Sequence, residues 1–309
     1  MNVTLRQLSY FIALAEAGHF GRAAARAHVS QPALSLQIKE FEAQLGVTLV
    51  ERLPREIRLT RAGHEVLARA RRILAEVDDL AQAIRWREGL SGRLHLGVIP
   101  TVAPYLLPAA LTRIRARDLT LELRVREAQT EPLLESLRAG QLDAALVALP
   151  VPGDGVVVDA LFEDRFVLAG SARRLQAWAA DVERLRPTAL EADQLLLLEE
   201  GHCLADQALE VCGLSGRGQV DLGASSLSTL AGLVSEGFGL TLLPELALRL
   251  ETAASDQLSL MRFAAPEPSR RLALVRRASS TDDGWMADLA ALFREAAEPL
   301  LAEARRICP

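Results

Sequence analysis

Leu8, Phe11, Ile12 and Ala15 recur at the i, i+3, i+4, i+7 spacing that lays one apolar stripe along a helix, and they predict a first amphipathic helix. A short alanine-rich helix follows over Gly21–Ala27. Ser30 is then suited to cap a helix start, and Pro32 is tolerated in a first turn because its missing N–H would find no partner there anyway. The third helix runs from about Gln31 to Leu45, and Gly46 ends it. Two short helices, a tight turn and a longer third helix describe a helix-turn-helix. Its exposed start offers Ser30, Gln31, Pro32, Ser35 and Gln37 toward base edges or phosphates. The stretch Glu51–Thr60, with Arg52, Arg55 and Arg58, reads as a basic hairpin wing; taken singly, each arginine also suits a plain solvated face. Beyond it, Val66, Ala70, Ile73, Val77, Leu80 and Ile84 step by four and three, a heptad seam on a helix of about Thr60–Arg87. Such a seam packs either on its own domain or on a second copy. Gly89, Ser91 and Gly92 form a joint before the next domain.

From Arg93 the period changes. Short β-runs alternate with helices: Leu94–Ile99, helix Ala103–Ala116, Thr120–Arg126, helix Pro132–Ala139, Ala144–Leu149. This is a βαβαβ pattern and predicts a mostly parallel sheet. A second series comprises Arg165–Ala169, Leu195–Leu198, a helix around two cysteines, Gln219–Leu222, helix Ser226–Ser235 and Leu240–Leu243. The chain returns through Leu272–Arg276 and closes with a helix near Asp283–Arg306. The expected fold class is α/β: an N-terminal winged helix-turn-helix (1–59), a long helix carrying the heptad seam (60–88) and a two-lobed α/β domain (92–309). Lobe I takes about 92–163 and 269–309, and lobe II about 164–268. A cleft between such lobes is where ligands favour binding.

Composition narrows the class. Half of the 309 residues are hydrophobic, enough for two or more cores, yet no apolar run approaches the ~20 residues of a membrane span. Arg6, Glu16 and His19 interrupt any leader-like apolar stretch, so a cytoplasmic protein without a membrane partner is expected. The net charge of −5 argues against an overall nucleic-acid coat, but residues 1–64 carry eight Arg/Lys against five acids, leaving the remainder acidic. That asymmetry permits DNA binding at one end.

The candidate chemistry sits in GHCLADQALEVC, Gly201–Cys212. The residues between Cys203 and Cys212 are strong helix formers. Across an unbroken helix the two thiols would lie about 13 Å apart along the axis and face opposite sides. A disulfide needs Cα atoms within about 7 Å, so oxidation would have to unwind the helix. That is how a switch works, whereas two buried inert cysteines remain the commoner fate of intracellular thiols. Cys203, at a predicted helix N-terminus directly after His202, is placed to be a reactive thiolate. Cys308 is penultimate and expected to fray. His19, His28, His64 and His95 lack ligand spacing, and no C-x-x-C, P-loop or GxGxxG occurs, so neither a metal nor a cofactor is expected. Thr101 and Thr130 suit helix caps.

The run SQPALSLQIKEFEAQLGV, within residues 4–64, closely resembles the winged helix-turn-helix of LysR-type transcriptional regulators. The later layout resembles their effector domain, itself similar to periplasmic binding proteins. Within that family GHC…DQA…C resembles the peroxide-sensing OxyR subfamily. The resemblance implies a non-enzymatic regulator of the oxidative-stress response, switched by hydrogen peroxide through a reversible Cys203–Cys212 disulfide. Cys203 would be peroxidatic and Cys212 resolving, with Thr101, Thr130, His202, Asp206 and Arg270 around the peroxide. The doubled Arg270-Arg271 leaves open which arginine supports the thiolate. Implied partners are double-stranded promoter DNA, RNA polymerase and the chain itself as homodimer or homotetramer, paired through the linker helix. Two departures stand out: Val50 where the family has phenylalanine, expected to affect packing under the wing, and Ala205 where many relatives carry arginine. A small-molecule co-inducer in the cleft, or a thiol peroxidase, are the competing readings.

Overall fold

The structure, a computed structural model, describes residues 3–53, 56–83, 93–117, 121–178, 185–214, 224–282 and 284–309. Arg55, the Gly89–Gly92 joint and the expected strand Gln219–Leu222 lie outside the described residues. Two compact units are present, one built on Met1–Ile84 and the other on Arg85–Leu137 with Leu142–Pro309.

The first unit begins with α1 (Leu5–Ala17), opened by a capping box in which Thr4 and Gln7 bond reciprocally, and closed by Gly18 in the left-handed conformation. In α2 (Phe20–Arg26) His19 caps the start, its Nδ1 accepting from the Gly21 N–H at 3.0 Å. α3 (Gln31–Leu45) has the Ser30 cap, the Pro32 first turn and the Gly46 stop that the sequence predicts. Phe11 and Phe41 meet in its core with ring centroids 5.8 Å apart. The wing is a two-stranded antiparallel ribbon, β1 (Val50–Arg52) and β2 (Ile57–Leu59). Glu42 of α3 holds it by accepting the Leu49 and Val50 N–H groups at 2.7 and 3.1 Å. Val50 is buried in this core, so its side chain is a packing residue under the wing.

α4 (Arg61–Ala83) starts where Thr60 accepts the Gly63 N–H at 3.0 Å. Gly63 allows close approach, since a Cβ there would sit 2.2 Å from the Leu49 carbonyl oxygen. The seam is divided. Ala70 is buried, with Val66 packed beside it in the unit's own core, whereas Ile73 stays 46% exposed. The start of the heptad pattern is therefore used within the subunit. Leu80 and Ile84 lie outside the residues whose side chains are described.

In the second unit β3 (Arg93–Val98), α5 (Ala103–Arg117), β4 (Glu122–Glu127), α6 (Thr130–Arg138) and β5 (Ala144–Ala148) form the expected βαβαβ, with β3 parallel to both β4 and β5. The mostly parallel sheet is not found. The order is β4-β3-β5-β9-β6-β7, and β9 (Ser269–Arg277) runs antiparallel to β5 and to β6 (Val156–Ser171). β7 (Leu240–Pro244) and β8 (Leu258–Arg262) are also antiparallel to β6. The first part of β6 is largely exposed, and its β-branched Val156–Val158 and apolar Ala160–Phe162 are interrupted by Asp159 and followed by Glu163 and Asp164. This strand changes partner along its length, from β9 up to Arg165 to β7 and β8 from Phe166 onward. One strand thus passes between two sheet portions.

The segment 195–198 makes two single parallel bridges, Leu195 to Leu240 and Leu198 to Ala224, in place of a strand. Helices α7 (Ala172–Leu175), α8 (Cys203–Cys212), α9 (Leu227–Ser235) and α10 (Glu245–Ala254) surround the second sheet portion. α11 (Trp285–Ile307) packs on α5, α10 and β6. Cys308 is not frayed: its thiol is buried, and its carbonyl accepts from Arg262. The last helix is anchored by its own apolar face. Among the described residues no helix is long and apolar enough to cross a membrane.

Candidate functional site

α8 spans both thiols without interruption, as the helix-forming residues between them require. Gly213 terminates it in the left-handed conformation (φ 66°). At the other end His202 occupies the cap position, and its side chain bonds no first-turn N–H. The positive end of the helix therefore lies open at Cys203, where it favours an anion.

Cys203, Cys212 and Cys308 are all free thiols. Cys203 is partly exposed, whereas Cys212 is 3% exposed within the core. Burial pushes the Cys212 thiol up to about 11, so it is an unreactive thiol in this conformation. Nine residues of helix hold the two Cα positions about 13 Å apart along the axis. His202 is also buried, and desolvation holds its imidazole below the ordinary histidine range against the opposing pull of Glu199. The ring is neutral at neutral pH.

Three segments close on Cys203: Ile99–Thr101 after β3, Gln129 and Thr130 at the start of α6, and Gly201–Cys203 at the start of α8. They line a narrow crevice, open to solvent, that leaves no room for a water molecule in this conformation. Gln129 draws two of them together by donating to the Glu200 carbonyl at 3.1 Å. It also lies so close to Gly201 that a Cβ there would sit 2.4 Å from its Oε1; with φ +89° as well, only glycine fits. The Thr130 hydroxyl is buried with no partner among the described residues, an arrangement a small hydrogen-bonding ligand would satisfy. The Thr101 hydroxyl accepts from Arg270 Nη1 at 2.8 Å.

Thr101, Thr130, His202 and Cys203 are thus brought together. Asp206 is not: it is exposed in the first turn of α8, where an acid complements the helix dipole, and it does not line the crevice. The alternation of β9 resolves the doubled arginine by burying Arg270 and exposing Arg271. Arg270 reaches Thr101 and Asp164 but is not among the residues that line the crevice. Ala205 is fully packed in the core, so a small side chain fills that place. Two contributors escaped the sequence reading. Gln129 adjoins Thr130, and Asp164 lies in the charged Glu163-Asp164-Arg165 between two apolar stretches, where nothing local marks which of the three turns inward. Gln207 ties α8 across to the end of β5, donating to the Leu149 carbonyl at 3.1 Å.

In the first unit Ser30, Gln31 and Pro32 are exposed at the start of α3, with Ser35 and Gln37 half-buried on the following turns. Gln37 donates to Glu40 at 2.7 Å. Arg52 of the wing donates to Ser35 Oγ at 3.1 Å and stacks over the Phe20 ring at 4.7 Å, so wing and third helix present one continuous polar face.

Residues 5–64 match the bacterial regulatory helix-turn-helix family of LysR type, and residues 87–298 match the LysR substrate binding domain. The chain belongs to the LysR family of transcriptional regulators. Within it, a probable hydrogen peroxide-inducible genes activator of Streptomyces viridosporus is 44% identical over 300 residues, covering 96% of this chain and 95% of that one. The transcriptional dual regulator OxyR of Escherichia coli K12 is 40% identical over 280 residues, 90% of each. Among solved structures, a cysteine-to-aspartate variant of full-length OxyR from Pseudomonas aeruginosa is 33% identical and superimposes with a TM-score of 0.74, covering 100% of this chain and 96% of that one. A cysteine-to-serine variant of Corynebacterium glutamicum OxyR with hydrogen peroxide bound is likewise 33% identical, with a TM-score of 0.65 and coverage of 99% and 98%.

Proposed function

We propose that this protein is a DNA-binding regulator of the oxidative-stress response, switched by hydrogen peroxide through a reversible Cys203–Cys212 disulfide. The observation that carries the reading is α8 itself. It holds one partly exposed thiol at its open N-terminus on a small crevice shared with Thr101 and Thr130, and locks a second, buried thiol at its far end. In the first step the Cys203 thiolate attacks a peroxide oxygen: an S–O bond forms, the O–O bond breaks, and the departing hydroxide gains a proton to become water. Cys203 is left as a sulfenic acid, oxidised by two electrons. In the second, the Cys212 sulfur attacks that of Cys203: an S–S bond forms, the S–O bond breaks, and the hydroxyl leaves as water with the Cys212 proton. Because the thiols begin about 13 Å apart, α8 must unwind for this step.

Thr101, Thr130 and the neutral His202 would hold the peroxide. Gln31 and Ser35 would read base edges in promoter DNA, with Ser30, Pro32, Gln37, Arg52 and Arg55 on or near the phosphates. The exposed Ile73 supports pairing of two chains along α4 into a homodimer or homotetramer, whose half-sites α8 would respace. An oxidised assembly would then engage RNA polymerase, and a cytoplasmic location follows from the DNA partner. Free-thiol counting before and after stoichiometric peroxide, alongside operator footprinting, tests the proposal. Loss of two thiols per chain with an altered footprint, both absent in Cys203→Ser, is expected. An unchanged response in Cys203→Ser would overturn it.

A further inference from the structure

Asp164 and Arg270 face each other across β6 and β9, both side chains fully removed from solvent. Arg270 Nε and Nη2 donate to Asp164 Oδ2 at 3.0 and 2.9 Å. The other carboxylate oxygen, Oδ1, accepts the Leu246 N–H in the first turn of α10 at 3.1 Å, so the acid is itself pinned. The far side of the guanidinium grips Thr101 twice, Nη1 donating to Oγ1 at 2.8 Å and Nη2 to the backbone carbonyl at 3.1 Å.

A guanidinium carries only donors, so Thr101 Oγ1 has to accept in this contact. Its own proton then has to be donated elsewhere, and no acceptor among the described residues takes it. Thr101 lines the crevice beside Cys203. We propose that Asp164 is a positioning residue for peroxide reduction: by orienting Arg270 it fixes Thr101 as a donor whose proton points at the crevice. This rests on the peroxide reading above. As the S–O bond forms and the O–O bond breaks, negative charge develops on the oxygen that leaves as hydroxide. A hydroxyl already aimed there stabilises that charge without reorganising, and a solvent proton completes the water. Arg270, its charge matched by Asp164, acts on the reaction through Thr101 and not as a counter-ion to the thiolate.

The test uses the full chain carrying Cys212→Ser, so that reaction stops at the sulfenic acid. Rate constants of Cys203 are measured with hydrogen peroxide, which needs the donor, and with iodoacetamide, which needs only an accessible thiolate. Asp164→Asn and Thr101→Val should each lower the peroxide rate at least tenfold, a modest share of the roughly hundredfold effect of one oriented oxyanion donor. Alkylation should stay within about twofold. Thr101→Ser, which keeps the hydroxyl, should keep the peroxide rate, and Asp164→Asn should add nothing in a Thr101→Val background. Parallel falls in both rates, multiplying losses in the double variant, or equal peroxide rates for Thr101→Val and Thr101→Ser would overturn the proposal. If Asp164→Asn does not melt cooperatively, Arg270→Lys, which keeps a cation but loses the fork, takes its place in the same cycle with the same criteria. A parent Cys203 no faster toward peroxide than a free thiol would instead refute the peroxide reading itself.

Discussion

The thiol at the far end of α8 offers a quantitative check on the switch. Cys212 is buried, and desolvation raises its thiol from an ordinary value near 9 to about 11. At pH 7.5 that leaves about a hundredfold less thiolate than an ordinary cysteine holds, before any steric shielding is added. The perturbation is unfolding of α8 by urea in the full-length Cys203→Ser chain, followed by iodoacetamide labelling resolved by mass spectrometry. The native protein should label at Cys212 at least about a hundredfold more slowly than the urea-unfolded protein. Its rate should also keep climbing with pH to about 11, where the unfolded rate levels near 9. The folded state holds this proton more tightly than the unfolded chain. The resulting stabilisation is therefore full below about pH 9 and lost as pH rises through about 11. A native rate within tenfold of the unfolded one, or a plateau near 9, would refute the idea that resolution waits on opening of α8.

Three further outcomes are expected. Gln31→Ala should narrow the preference for operator over random DNA, whereas Arg52→Ala should weaken binding to both and reduce the salt slope by about one; identical salt titrations would misplace the reading helix. Ser35→Ala should show both effects, because Ser35 also holds Arg52. Ile73→Asp alters an exposed position, so the thermal melt of the N-terminal unit should hold while light scattering reports loss of the dimer; an unchanged mass would confine α4 to its own subunit. Hydrogen exchange should show Leu204–Val211 protected in the reduced protein and unprotected after stoichiometric peroxide. Equal protection would mean that the thiols meet with α8 intact.

What the chain specifies by itself is what neighbouring residues decide together. The Ser30 cap, the Pro32 first turn, the Gly46 stop and the continuous α8 between two cysteines each depend on groups a few residues apart, and all appear where the sequence puts them. The remainder required distant partners. Which of two adjacent arginines turns inward was settled by the pleat of β9 and by Thr101, separated from Arg270 by 169 positions. The antiparallel order of β5, β9 and β6 depends on a half-exposed strand whose apolar runs do not say which distant strand they pair with. Burial of Cys212 and Cys308 came from helices docking on sheets, and no pattern in their own segments distinguishes a buried thiol from an exposed one. Hydrogen bonds along a turn follow from local order, but desolvation is a property of everything packed around a group. The contrast in exposure between Cys203 and Cys212 therefore belongs to the fold, and their separation along one helix belongs to the sequence.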